Sequence, residues 1–226
     1  MASQLILPLA PRSKLTRADF VVAPGNARAV AFIDAWPGWP APAAALYGPS
    51  GSGKSHLAAV WQERAGAVVI PAAALEEVDP AALAELGPIA VEDVDAAPAS
   101  PGRDRALFAL IERAGVAPVL FTGREPPEAW PVTLPDLASR FSALLAFPLW
   151  APDDALLAAL AAKLFRDRQL AVPEAVIQRM IRLLERSPAA IRDFVTKADE
   201  KALSEGRPVN LALVRELLAE DDGAAQ

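Results

Sequence analysis

The stretch Gly48-Pro49-Ser50-Gly51-Ser52-Gly53-Lys54-Ser55 constrains this chain more than any other. It fits G-x-x-x-x-G-K-[ST], a loop whose glycines let successive backbone N–H groups turn inward on phosphates. Lys54 adds a point charge, and the Ser55 hydroxyl is placed to reach a magnesium ion. Such a loop works between a buried strand and a helix that aims its positive end at the same anion. Both neighbours are present: Ala43–Tyr47 reads as a buried strand, and His56-Leu57-Ala58-Ala59-Val60-Trp61 continues as a helix. A Gly/Ser turn matching the pattern by accident would not carry both. Gly48, Ser50, Gly51, Ser52, Gly53, Lys54 and Ser55 are therefore the candidate phosphate ligands. His56, the chain's single histidine, stands beside them and reads as a helix-start residue rather than a catalytic base.

Around the loop, residues 20–149 alternate short apolar runs with helical stretches, the pattern of a parallel sheet with crossover helices. Runs at 43–47, 67–70, 89–91, 118–122 and 144–149 give five strands; 55–63 and 103–113 read as helices, the second with Leu107, Leu110 and Ile111 on one face. From Pro152 the character changes. Asp153 can cap a helix running to about Arg168 with Leu156, Leu157, Leu160 and Leu164 as its stripe. A second helix starts at Pro173, a third follows Ser187 with Pro188 in its first turn, and a fourth follows Asn210. The expected architecture is an α/β phosphate-loop domain at 20–149 and a small all-helical domain at 150–226, with residues 1–19 as a tail.

Composition removes several chemistries. Cysteine is absent, so there is no disulfide frame, thiolate zinc site or cysteine nucleophile, and one histidine leaves little for a Ser-His-Asp triad. A net charge of -6 argues against broad binding to a nucleic-acid backbone, which needs clustered Lys and Arg. No apolar run reaches the length of a membrane span. The first nine residues lack the basic start and small-residue cleavage site of a signal peptide, so a cytoplasmic protein is expected.

A phosphate loop needs a second strand ending in carboxylates to hold magnesium and orient water. Ile89-Ala90-Val91-Glu92-Asp93 supplies it, making Glu92 and Asp93 candidate metal ligands beside Ser55. The order is unusual, because Glu92 stands where Asp is commoner, and slow hydrolysis is the expected consequence. Asp95 has no assigned role. Thr122 ends a strand where a polar side chain could sense a terminal phosphate. Arg140 lies just before the last strand, and Arg192 starts a helix of the second domain.

Together these segments resemble the Hda family, the short DNA-binding-deficient homologues of the bacterial replication initiator DnaA within the AAA+ class. The resemblance covers nearly the whole chain: Asp19-Phe20-Val21-Val22 with Asn26, the phosphate loop through Leu57, Leu120-Phe-Thr122 with Arg124-Glu-Pro-Pro127, and Leu134-Pro-Asp-Leu-Ala-Ser-Arg140-Phe141. It implies adenine nucleotide as ligand, typically ADP with ATP as the alternative, and Mg2+ as the accompanying ion. It implies that residues 20–26, Val22 and Asn26 included, pack around the base. Thr122 falls at the sensor-1 strand end, Arg192 at the sensor-2 position that closes the helical lid, and Arg140 at the arginine finger that enters a neighbouring subunit's site. Gln4-Leu5-Ile6-Leu7-Pro8-Leu9 is similar to the family's sliding-clamp peptide, with Gln4, Leu5, Leu7 and Leu9 as contacts. Alone, those six residues fit an edge strand or a tail equally well.

The implied function is restraint of replication initiation: tethered to the DNA polymerase sliding clamp, the chain would present Arg140 to ATP bound in DnaA. Direct sequence-specific DNA binding is not expected, since the acidic end replaces the initiator's helix-turn-helix domain. Three rivals stay open: an autonomous ATPase of helicase-loader type using Lys54, Glu92 and Asp93, a small-molecule kinase, and a non-catalytic clamp adaptor. The sequence leaves the resident nucleotide and a homodimer undecided.

Overall fold

The computed structural model describes residues 15–150, 152–184 and 187–224 of the 226-residue chain. Five parallel strands form one sheet: β1 (Ala43–Tyr47), β2 (Val68–Pro71), β3 (Ile89–Glu92), β4 (Val119–Gly123) and β5 (Leu145–Pro148), in the order β2-β3-β4-β1-β5. This is the expected five-stranded parallel α/β sheet. Strand residues alternate between its faces, as the two-residue period of a pleated strand requires. Ala45, Ile89, Val91, Val119 and Phe121 enter one apolar core, while Ala44, Leu46, Ala90 and Leu120 enter the other. Both faces are covered, so β4 is buried along its whole length, with Val119, Leu120 and Phe121 as its apolar run.

The first face is covered by α3 (Pro80–Glu85), α4 (Pro101–Arg113) and α5 (Pro135–Ser142). The second carries α1 (Ala27–Asp34) and α2 (Lys54–Ala65), where Trp39 stacks on Trp61 at 4.8 Å between centroids and Phe32 on Phe147 at 4.5 Å. The helix α4 starts two residues before the expected Arg103, because Ser100 accepts the Arg103 N–H as a cap and Pro101 takes the first turn.

The lid is a four-helix unit of α6 (Asp154–Asp167), α7 (Glu174–Ile181), α8 (Pro188–Glu205) and α9 (Leu211–Ala224) around Leu157, Phe165, Met180, Ile191, Phe194 and Leu213. Asp153, Ser187 and Asn210 each accept backbone N–H groups at the starts of α6, α8 and α9. Pro173 precedes α7 instead of opening it. Among the described residues no helix is long and apolar enough to cross a membrane.

Residues 15–19, read from sequence as the end of a tail, are folded onto the domain. Arg17–Asp19 form a 3-10 turn. Arg17 grips Asp34 of α1 with Nε at 2.9 and 3.0 Å from the two carboxylate oxygens, His56 Nε2 lies 2.8 Å from the Thr16 carbonyl oxygen, and Asp19 faces Lys163 of the lid at 3.5 Å. These partners lie far away in the chain, so no local pattern announces them.

Candidate functional site

The phosphate loop leaves β1 at Tyr47 and re-enters helix at Lys54. Gly48, Gly51 and Gly53 have φ of 149°, 75° and 102°, conformations that side-chain-bearing residues rarely adopt. Space excludes larger residues too: a Cβ on Gly48 would stand 2.0 Å from the Leu149 carbonyl oxygen, and one on Gly53 2.8 Å from the Phe20 ring. Lys54 lies across the loop, its Nζ donating to the carbonyl oxygens of Gly48 at 2.7 Å and Pro49 at 2.9 Å. Burial holds the ammonium below the usual lysine range, against the opposing pull of Asp93 and Asp95. The Ser52 hydroxyl is buried within the loop without a partner. A buried orphan hydroxyl and a cation satisfied only by carbonyls fit an anion.

A cavity of about 380 Å³ opens between this loop and the lid. Its polar end is lined by Ser50, Gly51, Ser52, Gly53, Lys54, Ser55, Asp93, Arg124 and Arg192; its apolar end by Phe20, Val21, Leu156 and Leu160. Charged and apolar halves of this kind suit a ligand with a phosphate tail and a flat hydrophobic head. Val22 is not part of it. In extended chain successive side chains point oppositely, so Val21 faces the cavity and Val22 is 49% exposed. Asn26 lines the cavity, but its amide is used internally, accepting from Ala23 N–H at 2.8 Å and donating to Val21 O at 3.0 Å; it shapes the wall. His56 also lines the cavity, with its ring edge-on to Phe20 at 5.0 Å.

The acids at the end of β3 differ from one another. Glu92 lies against Ser55; burial raises its carboxyl above the usual range, the Ser55 hydrogen bond pulls it back, and Asp93 adds to the rise. Asp93 turns out of the strand with φ of 56° and donates its N–H to Thr122 Oγ1 at 3.2 Å. Thr122 is buried, its hydroxyl engaged with that turn, and does not line the cavity. Among the described residues no group of three His, Asp or Glu side chains forms a metal site by itself. A magnesium ion here would draw on Ser55, Glu92 or Asp93 and the ligand's own oxygens, as magnesium at phosphate sites does.

Arg192, at the start of α8, reaches the cavity; burial lowers its pKa, and Asp19 opposes that fall. Arg140 does not line the cavity. It is half-exposed on α5, 2.8 Å from Glu112 of α4, with its guanidinium carbon 5.7 Å from the Phe108 ring centroid. Gln4, Leu5, Leu7 and Leu9 lie outside the described residues. Asp19, Arg124, Leu156 and Leu160 were not read as site residues. The leucines share the apolar stripe of α6, which in sequence reads as core, and Arg124 lies just past the end of β4, where no local pattern marks it.

No protein-family model matches the chain, and no curated protein matches its sequence. Solved structures do. Domain III of the Thermotoga maritima replication initiation protein DnaA superposes with a TM-score of 0.71 at 21% identity, covering 95% of this chain and 98% of that one. AMPPCP-bound DnaA from Aquifex aeolicus gives 0.74 at 14% identity, over 93% of this chain and 70% of that one. The Thermotoga maritima RuvB Holliday junction branch migration motor gives 0.64 at 16%, over 83% and 65%. The fold is that of a DnaA-like AAA+ domain.

Proposed function

We propose that this chain binds an adenine nucleotide between its phosphate loop and lid, and regulates replication initiation by lending Arg140 to ATP held in a DnaA partner. The observation that carries the second part is the position of Arg140: a half-exposed guanidinium on α5, outside the chain's own cavity. It serves a neighbour's nucleotide. Its grip on Glu112 is an exposed pair, and such pairs contribute at most about 1 kcal/mol, so the guanidinium is free to re-aim on contact.

Within the chain's own site the loop N–H groups and Lys54 hold the phosphates, Arg192 brings the lid onto them, and Phe20, Val21, Leu156 and Leu160 enclose the base. The capture of AMPPCP by the Aquifex aeolicus DnaA structure supports this reading. Magnesium, when bound, neutralises phosphate charge. In the partner's site Arg140 stabilises charge on the transferring phosphoryl group, a role worth roughly 10³–10⁵ in rate in other phosphate-loop systems. Gln4, Leu5, Leu7 and Leu9 provide the tether to the sliding clamp, a reading that rests on their sequence, as does ADP as the resident nucleotide.

The test is ATP hydrolysis by DnaA on DNA-loaded clamp, with this protein, with Arg140→Ala and with the double variant Gln4→Ala, Leu5→Ala. Acceleration by the wild type and loss in both variants is expected; an unchanged rate with Arg140→Ala removes the finger. A second reading, turnover in the chain's own site, is favoured by the contact of Ser55 with Glu92 and by the cations around the cavity. Clamp-independent hydrolysis that disappears with Lys54→Ala would establish it.

A further inference from the structure

The helix α4 carries Phe108 and Glu112 four residues apart, one turn above the other on the same face. Arg140 of α5 meets both. Its guanidinium carbon lies 5.7 Å from the Phe108 ring centroid, and Nη2 lies 2.8 Å from Glu112 Oε1. Ring and carboxylate together seat the guanidinium: the aromatic face attracts the cation, and the carboxylate fixes one edge of it.

The backbones beneath this contact are fixed. Leu137 and Phe141 flank Arg140 on α5 and are buried in the core, where the Phe141 and Trp130 ring centroids stand 4.9 Å apart. At the start of α4, Arg103 donates to the carbonyl oxygens of Val94 and Pro131, and Leu107 and Leu110 are buried beside Phe108. The freedom lies in the side chains of Arg140 and Glu112, which are 51% and 45% exposed.

We propose that Phe108 and Glu112 are positioning residues that hold Arg140 back at rest, and that the strength of this seat sets how readily the arginine reaches a neighbour's nucleotide. The inference deepens the Arg140 reading and rests on it. The Glu112 carboxylate and the neighbour's phosphate are rival anions for one guanidinium. Whatever the seat contributes at rest is given up when the arginine engages, and the reach falls by the same factor. For an exposed pair that factor is about two to five. A seat this weak restrains without blocking.

The experiment has two readouts, both on the full chain. In NMR of the arginine Nε–H groups, the Arg140 signal is identified by its loss in Arg140→Ala. It stands apart from the signals of solvated arginines in the wild type and joins them in Glu112→Gln. Glu112→Asp keeps the charge on a shorter arm and moves the signal part of the way. The second readout is ATP hydrolysis by DnaA on DNA-loaded clamp at limiting amounts of this chain. Glu112→Gln raises the stimulated rate about two- to fivefold. Glu112→Asp and Phe108→Leu raise it less, and the double variant Glu112→Gln, Arg140→Ala gives no stimulation. Structural damage would lower the rate, so the sign of the change is diagnostic. An unchanged or lowered rate in Glu112→Gln, or an Arg140 signal that this variant does not move, overturns the seat. No stimulation by the wild type, or stimulation that survives Arg140→Ala, overturns the finger reading and the consequence for reach, while the Arg140 signal still tests the seat.

Discussion

The Nε2 atom of His56 lies 2.8 Å from the carbonyl oxygen of Thr16, across 40 residues of chain. The residue that follows Ser55 in the phosphate motif thus also fastens the segment by which the chain enters the domain.

The burial of that imidazole makes stability depend on pH. Burial holds the His56 imidazole below its ordinary range, with the Thr16 carbonyl pulling the other way. The folded state therefore binds the proton less readily than the unfolded chain, and stability is lost as pH falls below about 6.5 toward the folded value. His56→Gln keeps a donor for Thr16 and removes the titration. Thermal melts from about pH 7.5 down to about 5.5 should show a smaller fall in Tm for the variant than for the wild type.

Lys54→Met retains the apolar stem and removes a buried ammonium held only by two carbonyl oxygens. The variant should fold. At free ATP about a hundredfold above its Kd, the wild type gains about 2.7 kcal/mol, or roughly 5–10 °C in Tm, and Lys54→Met should show none of this rise in a thermal-shift assay.

Arg103 is almost fully buried, donating to the carbonyl oxygens of Val94 at 2.8 Å and Pro131 at 3.1 Å, with Asp104 at 3.4 Å; Asp104 in turn accepts from Thr133 Oγ1 at 2.8 Å. Arg103→Ala leaves a buried carboxylate uncompensated and should cost about 3–5 kcal/mol. Urea unfolding should show the midpoint falling with an unchanged slope.

Asp93 holds a left-handed backbone with φ of 56°, a conformation that costs a non-glycine residue about 1 kcal/mol or more. Asp93→Gly should therefore raise the unfolding free energy, by up to about 1 kcal/mol, while weakening the magnesium dependence of ATP binding. A site residue whose removal stabilises the fold is recognised by the opposite signs of these two measurements.

What the sequence disclosed follows the range of each interaction. The phosphate loop, the five strands and the lid helices announce themselves through local patterns: turn glycines, apolar runs, Asp153 and Ser187 as caps. The short helices α3 and α5 begin with Asp79-Pro80 and Leu134-Pro135, but they bury only Leu83, and Leu137 with Phe141, too few apolar positions to show a helical period. Where a side chain points at the end of a strand depends on register and on the turn that follows. This is why residues 20–26 are legible as a wall of the site while which of Val21 and Val22 faces the cavity is not, and why Thr122 stands out in the sequence while Arg124, two residues on, does not. Arg103 and Asp104 share a helical stripe with Leu107 and Leu110, and charges on such a stripe are the one local sign of a buried pair.

Gly48 carries a last consequence. A Cβ there would meet the Leu149 carbonyl oxygen at 2.0 Å, where the chain turns from the sheet toward the lid. The glycine is demanded by the protein's own backbone, whatever lies in the cavity. A descendant that had abandoned its nucleotide would still keep Gly48, while Lys54 would drift. In a lineage of such chains, the lysine is the witness to function and the glycine only to architecture.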